Sequence, residues 1–181
     1  MTAPAVLVSA LQDGRLARDL AAFAPTHVVS LTDPSLAQNR VPEFAPHMKV
    51  FQRQFYDVEE DDPTGPAHQI VRDLVAFLQG WSEESADSRL ICHCHMGASR
   101  STAAAFTALA IHFGPGAEAA AFQAFLRVTN KPWPNLRMVA LADEHLGRAG
   151  AMVAALVTYR RAHPQRIGAY HRLNARRGIF G

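Results

Sequence analysis

Cysteine is scarce in this chain, with two in 181 residues, and the two are near neighbours, Cys92 and Cys94. A pair separated by one residue closes no useful loop and cannot be the framework of a disulfide-stapled secreted domain, so both thiols read as reduced. Long apolar runs are also missing. Nothing approaches the roughly 20 residues of a membrane-spanning helix, and the opening MTAPAVLVSALQDG has no basic stretch ahead of its short apolar run. Neither a span nor a secretory signal is expected, and a cytoplasmic protein is. Ordinary glycine and proline contents, 11 of each, leave no low-complexity tract, which excludes collagen-like, coiled-coil and wholly disordered classes. No internal repeat is visible.

Acidic residues are absent from one end. Positions 145–181 hold 7 Arg and no Asp or Glu, whereas positions 1–144 hold 11 Lys+Arg against 16 Asp+Glu, so the net charge of +2 joins an acidic body to a basic end. That end has few aromatics beyond Tyr159, Tyr170 and Phe180 and no accompanying nucleic-acid fold. Nucleic acid is therefore not the expected partner, and a binder of nucleic acid or lipid through the tail stays an alternative. The length suits one domain with a real core, read as a body over 1–160 and a basic tail over 161–181. The sequence carries no signal for an oligomeric state.

What is present is an alternation of strands and helices. Ala5–Ser9, His27–Leu31, Met48–Phe55 and Arg89–His93 read as strands. The spacing of Leu11, Leu16, Leu20 and Phe23, and that of Ile70, Val71, Leu74, Val75, Phe77 and Leu78, predicts helices. Ser101–Phe113 is Ala-rich and helical, and Gly114-Pro115-Gly116 stops it. Further helix is predicted over 117–127 and 135–159. Asp33-Pro34 reads as a turn, and the acidic stretch from Asp57 to Pro66 as a loop. The pattern predicts an α/β fold, a parallel central sheet with helices on both faces and a helical C-terminal half.

The junction between the strand ending near Cys94 and the helix opening at Ser101 reads Ile-Cys-His-Cys-His-Met-Gly-Ala-Ser-Arg-Ser over positions 91–101. Open α/β sheets bind ligands at such a carboxyl end, where unpaired amides and the positive helix terminus favour an anion. The amides of His95, Met96, Gly97, Ala98, Ser99 and Arg100 can cradle a phosphate, with Gly97 allowing a tight turn or close approach. The planar fork of Arg100 can hold two phosphoryl oxygens at once. The same surroundings would stabilise a thiolate on Cys94.

This H-C-x5-R-S spacing resembles the active-site loop of the cysteine-dependent protein tyrosine phosphatase superfamily, and its mid-chain position and the small size resemble the compact dual-specificity and bacterial tyrosine phosphatase-like members. The resemblance implies a phosphatase that uses neither metal nor organic cofactor and acts on a phosphorylated protein or a small phosphomonoester. It assigns Cys94 as nucleophile, Arg100 as phosphate clamp, His93 as the histidine that helps set the thiol's acidity, and Ser101 as the hydroxyl that assists the departing thiolate. Phe55-Tyr56-Asp57 resembles the segment that carries the general acid, so Asp57 is the first choice, with Asp61 and Asp62 still open.

Cys-His-Cys-His could ligate zinc, but adjacent positions do not converge as spaced pairs do, and no second pair exists. Cys92 reads as a small buried hydrophobe. A phosphate-binding module without turnover, a pseudophosphatase, stays open beside the enzyme. In Asn130-Lys131-Pro132-Trp133-Pro134-Asn135, Asn135 reads as a helix N-cap and Trp133 as core. His112, Asp143, Glu144 and His145 read as surface or packing residues.

Overall fold

The structure is a computed structural model and describes residues 4–166 together with 168, 171 and 172. Among these, strands β1 (Ala5–Ala10), β2 (His27–Thr32), β3 (Lys49–Gln54) and β4 (Arg89–Cys94) form one sheet in the order β1-β4-β2-β3, all parallel. A parallel sheet has both faces covered, so its central strands are near-continuous apolar runs. Every residue of β2 is buried, as is β4 from Leu90 to Cys94. The edge strand β3 instead exposes Lys49, Arg53 and Gln54, charged and polar groups that discourage pairing with another chain.

Alternation along β4 sends Leu90, Cys92 and Cys94 to one face of the sheet and Ile91 to the other. The first face carries α2 (His68–Glu83), α3 (Arg100–Phe113), α4 (Glu118–Phe125), α5 (Leu136–His145) and α6 (Ala151–Ala162). The second is covered by α1 (Arg15–Phe23), whose Leu16 packs on Val28 and Ile91 with Leu20, Phe23, Phe44 and Met48 around them. Helices thus lie on both faces, unevenly. Helix α3 is the hub. Every residue from Arg100 to Ala110 is buried, because its alanines let sheet and helices approach closely. Phe106 meets Phe122 edge-on with ring centroids 4.8 Å apart.

The continuous helix predicted over 135–159 is corrected: the segment between His145 and Ala151 is not helical. Gly147, Ala149 and Gly150 have φ of 63°, 51° and 85°, which breaks the path. The Asp143 carboxylate accepts from the Gly150 and Met152 amides at 2.6 and 2.7 Å and so restarts the chain as α6. Among the described residues no helix is long and apolar enough to cross a membrane. Tyr170, Arg176, Arg177 and Phe180 of the predicted basic tail lie outside the described residues.

Candidate active site

The adjacent carboxyl ends of β4 and β2 place Cys94 and Asp33 beside the start of α3, and the loop after β3 arrives from the same side. Cys94 closes β4 and is 2% exposed. Its Sγ accepts from the Gly97 amide at 3.3 Å and lies 3.1 Å from the Ser101 hydroxyl in the first turn of α3. One neighbour comes from the loop and the other from the helix, and both can donate to a sulfur that carries negative charge.

Gly97 is required at its position. Its φ is +68°, and a Cβ built there would lie 2.8 Å from the Ser9 carbonyl oxygen of β1. The loop is fastened from outside as well. The Ala98 carbonyl accepts from the Trp133 amide at 2.8 Å, the Ser99 carbonyl from the Asn135 amide at 3.4 Å, and the Thr102 hydroxyl reaches both carbonyls at 2.7 Å. With those carbonyls engaged outside and the Gly97 amide directed at the Cys94 sulfur, the loop can form an anion-binding nest on its inner side. His95, Met96, Gly97 and Ala98 are partly exposed at this mouth, while Ser99, Arg100 and Ser101 are buried.

Arg100 is held at two points: Nη2 lies 3.0 Å from Asp33 Oδ1, and Nη1 donates to the Phe55 carbonyl at the end of β3. Two partners on different strands fix the plane of the guanidinium, which is what a bidentate clamp needs. His93 faces the opposite side of the sheet, beside Phe44. Burial drives its pKa down to about 4, with the Arg100 charge adding to the effect and the Cys94 backbone opposing it. The imidazole is therefore neutral, so it bears on Cys94 through the backbone and not as a cation. Burial pushes the Cys92 thiol strongly upward, which fits its reading as a core residue.

The three aspartates after β3 fall in different places. Asp57 Oδ1 accepts from the Ser99 hydroxyl at 2.7 Å and from Asn135 Nδ2 at 2.8 Å, which ties it to the 94–100 loop and to the turn before α5. Asp61 is 90% exposed and pairs with Arg137. Asp62 turns into its own loop to accept from the Thr64 amide and hydroxyl. Glu59 anchors the segment, accepting from the Leu136 amide at 2.9 Å and pairing with Arg160 of α6, whose guanidinium lies 4.5 Å above the Trp133 ring.

The structure brings Cys94, Gly97, Ser99, Arg100, Ser101 and Asp57 together, and leaves Asp61 and Asp62 out. It adds two residues that the sequence reading placed elsewhere. Asn135 caps α5 by accepting from the Met138 amide at 2.9 Å, as expected, and also donates to Asp57. Asp33 was read as a turn residue and lies against the clamp. Its signal was its position immediately after a strand, and recognising it needed the strand order. Among the described residues no cluster of His, Cys, Asp and Glu is arranged to hold a metal ion.

No family model matches the chain, and no curated protein matches it. Solved structures do. Human DUSP28 has 18% identity over 82% of this chain and 96% of its own, with a TM-score of 0.58. The Yvh1 phosphatase domain from Chaetomium thermophilum has 20% identity over 81% and 93%, with a TM-score of 0.55. PTPMT1 in complex with PI(5)P has 15% identity over 82% and 94%, with a TM-score of 0.56.

Proposed function

We propose, for a chain that carries the fold of the dual-specificity phosphatases, a phosphomonoester hydrolase working through a cysteinyl-phosphate intermediate. One observation carries the reading: the sulfur of Cys94 accepts from the Gly97 amide and lies 3.1 Å from the Ser101 hydroxyl, at the mouth of a loop whose Ser99 holds Asp57. A nucleophile, an anion cradle and an acid on a separate loop are the parts that phosphoryl transfer needs.

In the first step Cys94 Sγ attacks phosphorus in line, the S–P bond forms and the P–O bond to the leaving group breaks. Asp57 delivers its proton to the departing oxygen. Arg100 and the loop amides hold the phosphoryl oxygens, whose charge grows in the transition state. In the second step a water attacks phosphorus, Asp57 takes its proton back, the S–P bond breaks, and the Ser101 hydroxyl donates to the leaving thiolate. Atoms and protons balance with water as the only co-reactant.

Among phosphomonoesters the reading favours phosphotyrosine or dual-specificity protein substrates, because the loop side chains from His95 to Ser99 include no lysine or arginine. The test is hydrolysis of para-nitrophenyl phosphate by the parent and by a folded Cys94→Ser variant. The parent is expected to turn over and the variant to be inactive. Hydrolysis at the parental rate by the variant would end the reading, and phosphopeptide binding by a parent without turnover would favour a phosphate-binding module.

A further inference from the structure

An anion lies inside a site built for anions. Asp33, the first residue beyond β2, sets its carboxylate 3.0 Å from the 3% exposed Arg100 guanidinium, and its other oxygen 3.8 Å from His95 Nδ1. The backbone that carries it is held in place. The Asp33 carbonyl accepts from the Leu36 amide at 3.0 Å and from Gln54 Nε2 at 3.4 Å, and the rigid Pro34 follows. Its side chain is only 15% exposed, so little water screens it.

Positioning Arg100 does not require this charge. An amide oxygen in the same place would accept the same hydrogen bond. The negative charge adds repulsion toward whatever lies beside the clamp. Arg100 and His95 are its partners, and other cations add little, because Arg137 and Arg160 are engaged with Asp61 and Glu59, and no lysine or arginine occurs from His95 to Ser99. The Arg100 guanidinium therefore already faces one carboxylate, that of Asp33, before any ligand arrives. Loop amides and one arginine suffice for a single phosphoryl group, whereas a second anionic group on the same ligand meets the Asp33 carboxylate with no lysine or arginine beyond Arg100 to offset it.

We propose that Asp33 is a specificity-determining residue that confines the cradle to ligands bearing one phosphoryl group and rejects pyrophosphates and vicinal bisphosphates. The proposal rests on the reading of the 94–100 loop as a phosphate site, and it names the substrate class: singly phosphorylated esters without a neighbouring anion.

Asp33→Asn keeps the acceptor and removes the charge. Binding of inorganic phosphate and of pyrophosphate to the parent and to Asp33→Asn is measured by titration calorimetry, and para-nitrophenyl phosphate hydrolysis is followed on the same samples. The parent is expected to prefer phosphate. The substitution is expected to tighten both ligands and to move the phosphate-to-pyrophosphate ratio about tenfold toward pyrophosphate, because the more highly charged ligand gains more from losing a nearby like charge. Asp33→Ala, which also removes the acceptor, is expected to move the ratio the same way while weakening both ligands.

An equal change for both anions, or a parent that prefers pyrophosphate, would overturn the proposal. If hydrolysis persists alongside such a result, the phosphatase reading survives it. Absence of both anion binding and hydrolysis would overturn the two together.

Discussion

The Ser99 hydroxyl donates to Asp57 Oδ1 at 2.7 Å, and so joins the 94–100 loop to the loop that follows β3. A serine just before a helix ordinarily caps that helix, but the Ser99 side chain makes no cap to α3. Together with Asn135 it fixes one oxygen of Asp57, and hence the direction of the carboxyl group relative to Cys94. Ser99→Ala is expected to lower kcat about tenfold for aryl phosphates with poor leaving groups and less for para-nitrophenyl phosphate, because proton donation matters most where the leaving oxygen is most basic. Steady-state rates across a series of leaving groups check this, and a uniform loss across the series would count against it.

The division of labour among the three aspartates gives a second expectation. Asp57→Asn is expected to reduce kcat by about 10²–10⁴ on poor leaving groups, the usual contribution of general acid catalysis. Asp61→Asn and Asp62→Asn, whose parent side chains face Arg137 and Thr64, are expected to stay near the parental rate. A loss at Asp61 or Asp62 equal to that at Asp57 would reassign the acid.

How far the sequence could be read follows from what is contiguous. The run from β4 through the loop to α3 was legible as a unit because Cys94, Gly97 and Arg100 follow one another along the chain, and the structure sets Gly97 against the Ser9 carbonyl, which excludes a side chain. Asp57 and Asp61 could not be separated, because their directions are set by Ser99, Asn135 and Arg137, which arrive from distant elements. Asp33 was hidden for a related reason. Nothing local says that β2 lies next to β4, and a residue after a strand looks like any turn until the strand order is known. The break between α5 and α6 carried a local signal in Gly147 and Gly150, which the apolar spacing of 135–159 outweighed.

Gly97→Ala is expected to destabilise the chain and abolish phosphate binding. A left-handed backbone conformation costs an alanine about 1–2 kcal/mol, and the 2.8 Å approach to the Ser9 carbonyl adds a clash that the loop can relieve only by moving. Urea unfolding and phosphate titration check both parts. Parental affinity in the variant would contradict the close-approach argument.

His93 makes stability depend on pH with a defined sign. Its folded pKa of about 4 lies below the ordinary 6.5, so the unfolded chain takes up the proton first. The contribution is fully present above about pH 6.5 and is lost as the pH falls toward 4, amounting to about 2 kcal/mol between pH 7 and pH 5. The lowered pKa of His27 acts in the same direction in parent and variant alike. The difference in urea unfolding free energy between the parent and His93→Asn therefore isolates His93. A variant whose stability falls as steeply as the parent's over this range would contradict the assignment.

The central claim is a covalent bond between phosphorus and Cys94, and trapping that intermediate tests it most directly. Asp57→Asn keeps the nucleophile but slows the attack of water, so brief mixing with para-nitrophenyl phosphate and acid quenching should leave the phosphoenzyme intact. The account predicts a burst of about one p-nitrophenol per chain, with the peptide containing Cys94 heavier by one HPO3 group and no such adduct after Cys94→Ser. Turnover by the parent with no adduct on Cys94 in the quenched variant, or an adduct on another residue, would contradict it.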